Sequence, residues 1–434
     1  MERILIALLP DFVGKEVIVK GWVHRIRQLG GINFVILRDR TGTVQTVFQK
    51  SEELSGIRNE MVVEVGGKVV SEPRAPGGIE IHVNSCRLLG DVYYGTSIPL
   101  EISNQRAFDR AELGPVLEHR PLSLRNSKVQ AIFKIESELI WAFRQFLKQR
   151  GFTEIFTPKI VASGTEGGAE LFKVEYFEKT AYLAQSPQFY KQIMVGVFER
   201  VFEVGHVYRA EKHDTSRHLN EYLSLDYEMG FIDDEQDVIA VEIELLKYMF
   251  SHTKKVCGAE LELWGAEVPE FDTIPQITLK NALQLLEEKY GKRAKSKADL
   301  DPEGEMLICK YFKEETGTEL VYITHYPTSK RPVYTMPDDK NPEVTRSFDL
   351  LFKGLEVTTG SQRIHDYAML VKNMEKFGLK PEDFDFYLQV FKYGMPPHGG
   401  LAIGAERLTK QLLDLPNIRM AALFPRDIAS HSLP

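Results

Sequence analysis

Arg209 and Glu211 sit just after a strand-like run over 200–208, and Arg217 and His218 follow within ten residues, just before a second such run over 219–231. Two strands joined by this loop would present cations and a carboxylate at one end of a hairpin, an arrangement that grips anionic oxygens. Gly399-Gly400-Leu401-Ala402-Ile403-Gly404-Ala405-Glu406-Arg407 is a second constellation, a glycine-rich strand that runs into a helix led by Arg407. Small side chains let a ligand approach the backbone, and an arginine at a helix start faces anions beside the N–H groups of the first turn. The order of residues is neither that of a P-loop nor that of a dinucleotide fingerprint.

The elements that must position these groups are written in the periodicity. Five runs with period-two alternation, 16–27, 32–38, 43–48, 61–70 and 79–88, are separated by breaks such as Gly30-Gly31, Thr41-Gly42 and Pro76-Gly77-Gly78. Five short strands in this span predict a small closed barrel of the OB type. The periodicity fades from Asp91 to about Arg125, a polar, proline-punctuated hinge. A helix follows: Ser127 and Gln130 have the capping-box spacing, Val129, Ile132, Phe133, Leu139, Phe143, Phe146 and Leu147 recur at helical intervals, and Gly151 stops it. Beyond it, strands are expected over 200–208, 219–231, 319–325, 333–336 and 347–358, and helices over 234–252, 279–290, 365–376 and 382–393. Long strands joined by turn-rich connections predict an antiparallel sheet flanked by helices rather than βαβ units, so the class is multidomain α+β. The expected domains are a barrel over 1–104, a hinge over 105–125 and a second domain over 126–434 with an insertion at about 255–320.

Composition bounds the rest. A chain of 434 residues exceeds one ordinary domain, and its 43% hydrophobic and 27% charged residues are those of a globular protein. The apolar run 4–9 is too short for a signal-peptide core or a membrane span, so the cytoplasm is the expected compartment and no membrane partner is expected. Cys86, Cys257 and Cys309 are far apart and in no CxxC spacing, which argues against disulfide scaffolds and zinc ribbons and reads them as buried apolar fillers. The net charge of −8, with 12 basic and 12 acidic residues in 1–105, supplies no bulk attraction to nucleic acid. RNA binding would need local patches and stacking surfaces.

Together, the segments around Arg209 and Arg407 resemble motifs 2 and 3 of the class II aminoacyl-tRNA synthetases, and 152–160 with Pro158 resembles motif 1. The likeness spans nearly the whole chain. Thr165-Glu166-Gly167-Gly168-Ala169-Glu170-Leu171-Phe172, Gln185-Ser186-Pro187-Gln188-Phe189-Tyr190-Lys191-Gln192 and Gly360-Ser361-Gln362-Arg363-Ile364-His365 resemble the aspartyl-tRNA synthetases of the compact archaeal and eukaryotic type, subclass IIb. An OB-type domain ahead of the catalytic core is also that family's order.

The resemblance implies a ligase that activates L-aspartate with ATP and loads it onto the 3′ end of tRNA. Arg209, holding the α-phosphate and the reacting carboxylate, and Arg407, gripping the distal phosphates, would be the catalytic pair. Glu211 would accept from the adenine amino group and Tyr222 would stack on the ring, while Arg217 and His218 help Arg407; Ala210, Leu219, Glu356, Gly404, Ala405 and Glu406 complete the ATP set. Mg²⁺ falls to Asp349 and Glu356 with the Thr359 hydroxyl. The two carboxylates are seven apart on one strand-like run, so a bend or bulge is needed to turn both toward one ion. Lys191 and Arg363 would take the aspartate side chain, with Gln188, Asp226 and Glu166 around the α-amino group and Arg209 and Thr359 beside them. A neutral asparagine would strand two buried cations, at a cost of roughly 3–5 kcal/mol. Two other readings stand against this one. An asparaginyl-tRNA synthetase shares motifs 2 and 3 but lacks the lysine found here at 191, and a catalytically inactive RNA-binding relative would not need Arg209, Glu211, Glu356 and Arg407.

In the barrel, Phe34 and Gln45 fall where the family stacks on and hydrogen-bonds the central anticodon base, with Glu80 and Arg25 or Arg27 nearby. His24 and Pro76 stand where strict archaeal members carry tryptophan and lysine. The resemblance then implies a non-discriminating enzyme that charges both tRNA-Asp and tRNA-Asn and works upstream of a tRNA-dependent amidotransferase. Motif 1 implies a homodimer, and DNA is not an expected partner. The tail 428–434 lacks the basic residues usual in the family.

Overall fold

The computed structural model describes residues 2–29, 32–49, 56–93, 99–164, 170–212, 214–293 and 296–428. The chain divides into two compact units, Met1–Pro115 and Val116–Pro434.

Strand alternation builds the first unit. In β1 (Glu16–Leu29), β2 (Ile32–Arg38), β3 (Thr43–Phe48), β4 (Val62–Ser71) and β5 (Ile79–Gly90) apolar side chains turn inward, and the strands close as a barrel in the order β1-β2-β3-β5-β4. Val17, Val19, Val35, Leu37, Val65 and Ile81 fill its core. Each such side chain contributes about 1.5–3 kcal/mol on burial. The β1–β2 register passes from Val23 opposite Leu37 to Arg25 opposite Ile36, which makes His24 the extra residue of a β-bulge.

The expected hinge is not bare chain: it carries three short helices, α1 (Gln105–Phe108), α2 (Leu113–Glu118) and α3 (Arg120–Ser123). Arg120 is buried because its guanidinium donates to the carbonyls of Leu423, Met420 and Ala422 at 2.8, 3.2 and 2.6 Å. α4 (Ser127–Gln149) follows, and the capping-box expectation is corrected: the cap is Asn126, whose Oδ1 accepts from the N–H groups of Lys128 and Val129, and Ser127 is already helical. Gly151, at φ 79°, ends the helix as expected.

The second unit is an eight-stranded sheet with helices. In chain order come β6 (Thr153–Glu154), a small sheet of β7 (Ile160–Val161), β8 (Lys173–Tyr176) and β9 (Lys179–Leu183), then α5 (Gln188–Phe198), β10 (Arg200–Tyr208), β11 (Glu221–Gly230), α6 (Glu235–Val256) and α7 (Gly258–Trp264). β12 (Gln276–Thr278), α8 (Leu279–Tyr290), α9 (Pro302–Thr316) and β13 (Leu320–Thr324) lead to β14 (Ser347–Phe352) and β15 (Leu355–Arg363). α10 (Tyr367–Lys376), α11 (Asp385–Lys392), β16 (His398–Gly404) and α12 (Ala405–Leu412) complete it. The strand order is β12-β13-β14-β15-β16-β11-β10-β6, antiparallel through its centre and parallel only at the two edge pairs. One face, with Leu225, Tyr227, Leu401 and Ile403, packs on α4 and α6 through Leu139, Phe143, Leu245 and Met249. By strand alternation the other face carries Ser224, Asp226 and Glu228.

Three further expectations change. The run 347–358 is a hairpin, not one strand, because Lys353 and Gly354 take φ 47° and 78° and form a two-residue turn between β14 and β15. Residues 333–336 form no strand: Pro332 and Pro337 bracket them, and Thr335 makes only an isolated bridge to Arg363. Cys257 and Cys309 are buried fillers, but Cys86 is exposed. Among the described residues no helix is long and apolar enough to cross a membrane.

Candidate active site

Register alone assembles the site. Asp226 on β11, Ala402 on β16, Thr359 on β15 and Asp349 on β14 stand opposite one another across four neighbouring strands. At about 4.8 Å per strand this row spans about 14 Å. Two residues along, Glu228, Gly400, Ser361 and Ser347 form a second row. Gly400 is required there, since a Cβ would lie 2.3 Å from Glu228 Oε2 and 2.1 Å from the Tyr227 carbonyl oxygen. The glycine-rich run is therefore the floor of a trough, with charged groups at its two sides.

Two cavities open on the trough. The larger, of about 670 Å³, is lined by Gln188, Lys191, Asp226, Arg331 and Arg363, and the smaller, of about 260 Å³, by Glu211, Arg217, His218, Leu219, Gly404, Glu406 and Arg407. Arg209, Tyr222, Ser224, Glu356, Thr359 and Ala402 line both. Arg209 is thus a shared wall. Its guanidinium lies 6.0 Å from the Tyr222 ring centroid and 3.7 Å from Glu211 Oε1. Asn220 fixes the loop behind it by donating to the carbonyls of Arg209 and Glu211 at 2.7 and 2.9 Å. The N–H of Ala210 donates to Glu170 O at 2.8 Å.

The larger cavity ends in a buried four-charge cluster. Lys191 Nζ donates to Asp226 Oδ1 and Leu401 O, both at 3.0 Å, and lies 3.3 Å from Glu228 Oε2. Arg363 reaches Glu228 through Nε at 2.8 Å and also donates to Ser361 Oγ at 2.6 Å and Gly400 O at 2.9 Å. Burial pushes the Glu228 carboxyl up, but Arg363 and then Lys191 outweigh it and hold it below the usual glutamate range. Ser224 Oγ donates to the other oxygen of Asp226 at 2.6 Å. This corrects the expected energetics: Lys191 and Arg363 already have carboxylate partners inside the protein, so asparagine would not strand two cations. An aspartate side chain bound here would gain only charge-assisted hydrogen bonds over asparagine, about 1.5–3 kcal/mol. Behind the cluster, Gln188 donates to Gln192, which bonds His398 at 2.9 Å, and burial lowers that histidine to about 4.

At the other side of the trough the hairpin solves the parity problem of Asp349 and Glu356. Leu350 pairs with Thr358 and Leu351 with Glu356, which leaves Val357 as a bulge and turns Glu356 and Thr359 to the same face. Burial and then the neighbouring Asp349 charge raise Glu356, as expected for two carboxylates sharing one cleft. Two carboxylates and a hydroxyl are hard oxygen donors that suit Mg²⁺, but they are too few to enclose it, so they fit an ion also held by phosphate oxygens and water. Among the described residues no cluster of three or more His, Cys, Asp or Glu side chains forms a metal cage. Arg407 Nη1 donates to Glu356 O at 3.0 Å and Oε1 at 3.3 Å. Arg217 pairs with Glu305 of α9, whose carboxyl burial raises to about 7. His218 Nδ1 is 2.7 Å from Thr215 Oγ1. Glu406 serves the frame, accepting the Leu223 N–H at 3.0 Å, and Ala405 is buried at the start of α12. Glu166 lies outside the described residues.

In the barrel unit, strand alternation turns one of Phe34 and Val35 outward, and it is Phe34 that is half-exposed while Val35 faces the core. Gln45 stands opposite Glu80 and donates to it at 2.9 Å. Pro76 is exposed at the start of the β4–β5 turn, and Arg25 follows the bulge. Arg38, paired with buried Glu60 at 3.0 Å, approaches His24 Nδ1 at 3.0 Å. Arginine can only donate, so Nδ1 accepts and the ring proton sits on Nε2. Burial and then Arg38 lower the His24 pKa and keep the ring neutral.

Sequence reasoning missed Glu228, Glu305, Arg331 and Arg38. Glu228 had a signal, since it stands two residues from Asp226 on a strand and shares its face. The other three are brought in by tertiary contacts that no local spacing announces.

Residues 115–428 match the family model described as tRNA synthetases class II (D, K and N), and residues 17–89 match that of the OB-fold nucleic acid binding domain. The chain is 51% identical over 433 residues to a protein of Deinococcus radiodurans named an aspartate–tRNA(Asp/Asn) ligase, covering 98% of each. It is 49% identical over 429 residues to a protein of the same name from Thermus thermophilus, again covering 98% of each. Among solved structures it is similar to the asparaginyl-tRNA synthetase of Pyrococcus horikoshii complexed with asparaginyl-adenylate, with a TM-score of 0.92 and 32% identity over 99% of each chain.

Proposed function

Because the chain belongs to the class II tRNA synthetases of the D, K and N group, we propose that its two cavities hold L-aspartate and ATP and that Arg209 brings their reacting atoms together. The activity is aspartate–tRNA ligation: aspartyl-adenylate forms with release of pyrophosphate, and the aspartyl group passes to the 3′ end of tRNA. The observation that carries this reading is the Lys191–Asp226–Glu228–Arg363 cluster at the bottom of a cavity that shares Arg209 with its neighbour. The cluster would hold the amino acid by its side chain and leave its α-carboxylate toward the shared wall.

In the first step a carboxylate oxygen attacks the α-phosphorus while the bond to pyrophosphate breaks. Arg209 faces the charge that grows on the phosphoryl oxygens, and Arg407 and Arg217 hold the departing end. Asp349, Glu356 and Thr359 would hold Mg²⁺, which supplies neutralisation of the phosphate charges. In the second step a terminal ribose hydroxyl attacks the acyl carbon and AMP leaves. No protein nucleophile is required, because positioning and charge stabilisation carry both steps. ATP–pyrophosphate exchange tests this: exchange should be at least about tenfold faster with aspartate than with asparagine, and faster exchange with asparagine would favour the asparaginyl alternative.

On the RNA side we infer that the barrel takes the anticodon on the face bearing Phe34, Gln45 and Glu80, by stacking and hydrogen bonding. A neutral His24 on a bulge, and Pro76 in a short turn, support loose reading of the third base, as do the tRNA(Asp/Asn) names of the two relatives. The enzyme would then charge tRNA-Asp and tRNA-Asn, supply an amidotransferase and work in the cytoplasm. The homodimer is supported by exposed Phe156, Val197, Phe198 and Phe231 around the motif 1 segment. A preference for the tRNA-Asp transcript above about a hundredfold, which is about 2.7 kcal/mol, would sink the non-discriminating reading.

A further inference from the structure

Arg331 stands between a short turn, Thr328–Lys330, and Pro332, in a segment with no regular structure to dictate where its side chain goes. It nonetheless makes closely set contacts. Nη2 donates to Asp349 Oδ2 at 2.7 Å, Nη1 donates to Thr359 Oγ1 at 3.0 Å, and the guanidinium lies 3.8 Å from the Tyr326 ring centroid. Thr359 Oγ1 in turn donates to Asp349 Oδ1 at 2.5 Å. The Arg331 and Asp349 side chains are 14% and 7% exposed, so the pair is held away from water, and Arg331 Nε is buried without a hydrogen-bond partner. The oxygens read above as metal donors are therefore already served by a cation of the protein's own.

Glu356 differs in a way that matters. Its partner, Arg407, lines the smaller cavity, where phosphates would compete for the guanidinium and free the carboxylate as nucleotide enters. Arg331 lines the larger cavity, on the opposite side of the shared wall. A divalent ion arriving alone must displace Arg331 and gains only Asp349 and a hydroxyl in return. An ion arriving with phosphate oxygens brings further ligands with it.

We propose that Arg331 is a built-in counter-ion for Asp349 and Thr359 that competes with divalent metal, so that metal is taken up together with nucleotide rather than ahead of it. This rests on the reading that Asp349 and Thr359 hold the metal.

The test uses Mn²⁺ as a paramagnetic probe, its free concentration read by EPR, with the full-length protein and no nucleotide. Arg331→Met should bind Mn²⁺ at least about tenfold more tightly than wild type, and adding Asp349→Asn to that variant should remove the gain, because both cations compete for one carboxylate. Equal affinities in wild type and Arg331→Met, or a gain that survives Asp349→Asn, would overturn the proposal. Arg331→Lys keeps a cation but loses the fork geometry. If the methionine variant does not fold, judged by its thermal melt, the lysine variant must still bind Mn²⁺ more tightly than wild type, and no gain there overturns the proposal equally. Mn²⁺ uptake with ATP is measured in parallel. Uptake by wild type that is indifferent to Asp349→Asn would instead sink the metal-site reading, whatever the nucleotide-free result.

Discussion

Replacing Lys191 with methionine removes an ammonium whose three N–H groups are all committed, to Asp226 at 3.0 Å, to Leu401 O at 3.0 Å and toward Glu228 at 3.3 Å. The side chain is 2% exposed, so water cannot take its place. Glu228 keeps two contacts to Arg363, at 2.8 and 3.3 Å, while Asp226 keeps only the Ser224 hydroxyl. Stranding Asp226 weakens the fold in free and bound enzyme alike, whereas the effect on aspartate is that the cluster passes from neutral to a net charge of −1 and repels an incoming carboxylate. Taking that as the loss of one charge-assisted contact, about 1.5–3 kcal/mol, kcat/KM for aspartate should fall by about one to two orders of magnitude. Asparagine carries no side-chain charge and loses less, so the preference for aspartate should shrink by at least about tenfold. ATP–pyrophosphate exchange with each amino acid, run well below the melting temperature of the variant, reads both quantities. Aspartate activity within about fivefold of wild type, with the preference intact, would show that Lys191 is scaffold and not part of amino-acid recognition.

Arg209→Ala is expected to abolish adenylate formation, and near-normal pyrophosphate exchange in that variant would refute its role at the shared wall. Glu305 should hold Arg217 in place for ATP: Glu305→Gln should raise the KM for ATP roughly tenfold, the worth of one charge-assisted hydrogen bond, and leave that for aspartate unchanged. Since the Glu305 carboxyl is raised to about 7, the wild-type KM for ATP should climb as pH falls from above that value to below it, while the glutamine variant stays flat. Glu242, buried on the face of α6 that packs on the sheet and accepting from the Tyr322 hydroxyl at 2.9 Å, is also raised to about 7 by burial. Its native form binds a proton more tightly than the unfolded chain, so its contribution is complete below the ordinary glutamate pKa and is lost as pH rises through about 7, by about 3 kcal/mol. Melting curves at pH 5.5 and 8 should show Glu242→Gln gaining on wild type at the higher pH; parallel curves would contradict this.

What could be read from the sequence divides along a physical line. The barrel and the long antiparallel strands follow from alternation, a local property, and so does the opposite facing of Phe34 and Val35, though not which of them turns outward. The family resemblance singled out Lys191, Arg209, Arg363 and Arg407, and each stands on or beside a regular element that brings it to the wall of a cavity on the trough. The hairpin at Lys353-Gly354 was hidden because apolar residues, Leu351 and Phe352 on one side and Leu355 on the other, abut a turn only two residues long. A bend or bulge between Asp349 and Glu356 was expected from their odd spacing, but its position at Val357, like the bulge at His24, is defined by the partner strand's register. Glu228 changed the energetics most: a site read as two open cations is a neutral cluster of four charges, and the expected discrimination falls with it. Arg331 and Glu305 come from segments remote in sequence, and only packing brings them to the trough.

On the reading proposed above, the neutral four-charge cluster, opening on the same cavity as Arg209, makes this a ligase for aspartate. The most direct measurement is charging of purified tRNA-Asp and tRNA-Asn transcripts with aspartate and with asparagine, each in the presence of ATP and Mg²⁺. The expected result is aspartyl-tRNA on both transcripts and little asparaginyl-tRNA on either. Asparagine charged in preference to aspartate, or no aspartate charged to any tRNA by protein that melts cooperatively, would contradict the account.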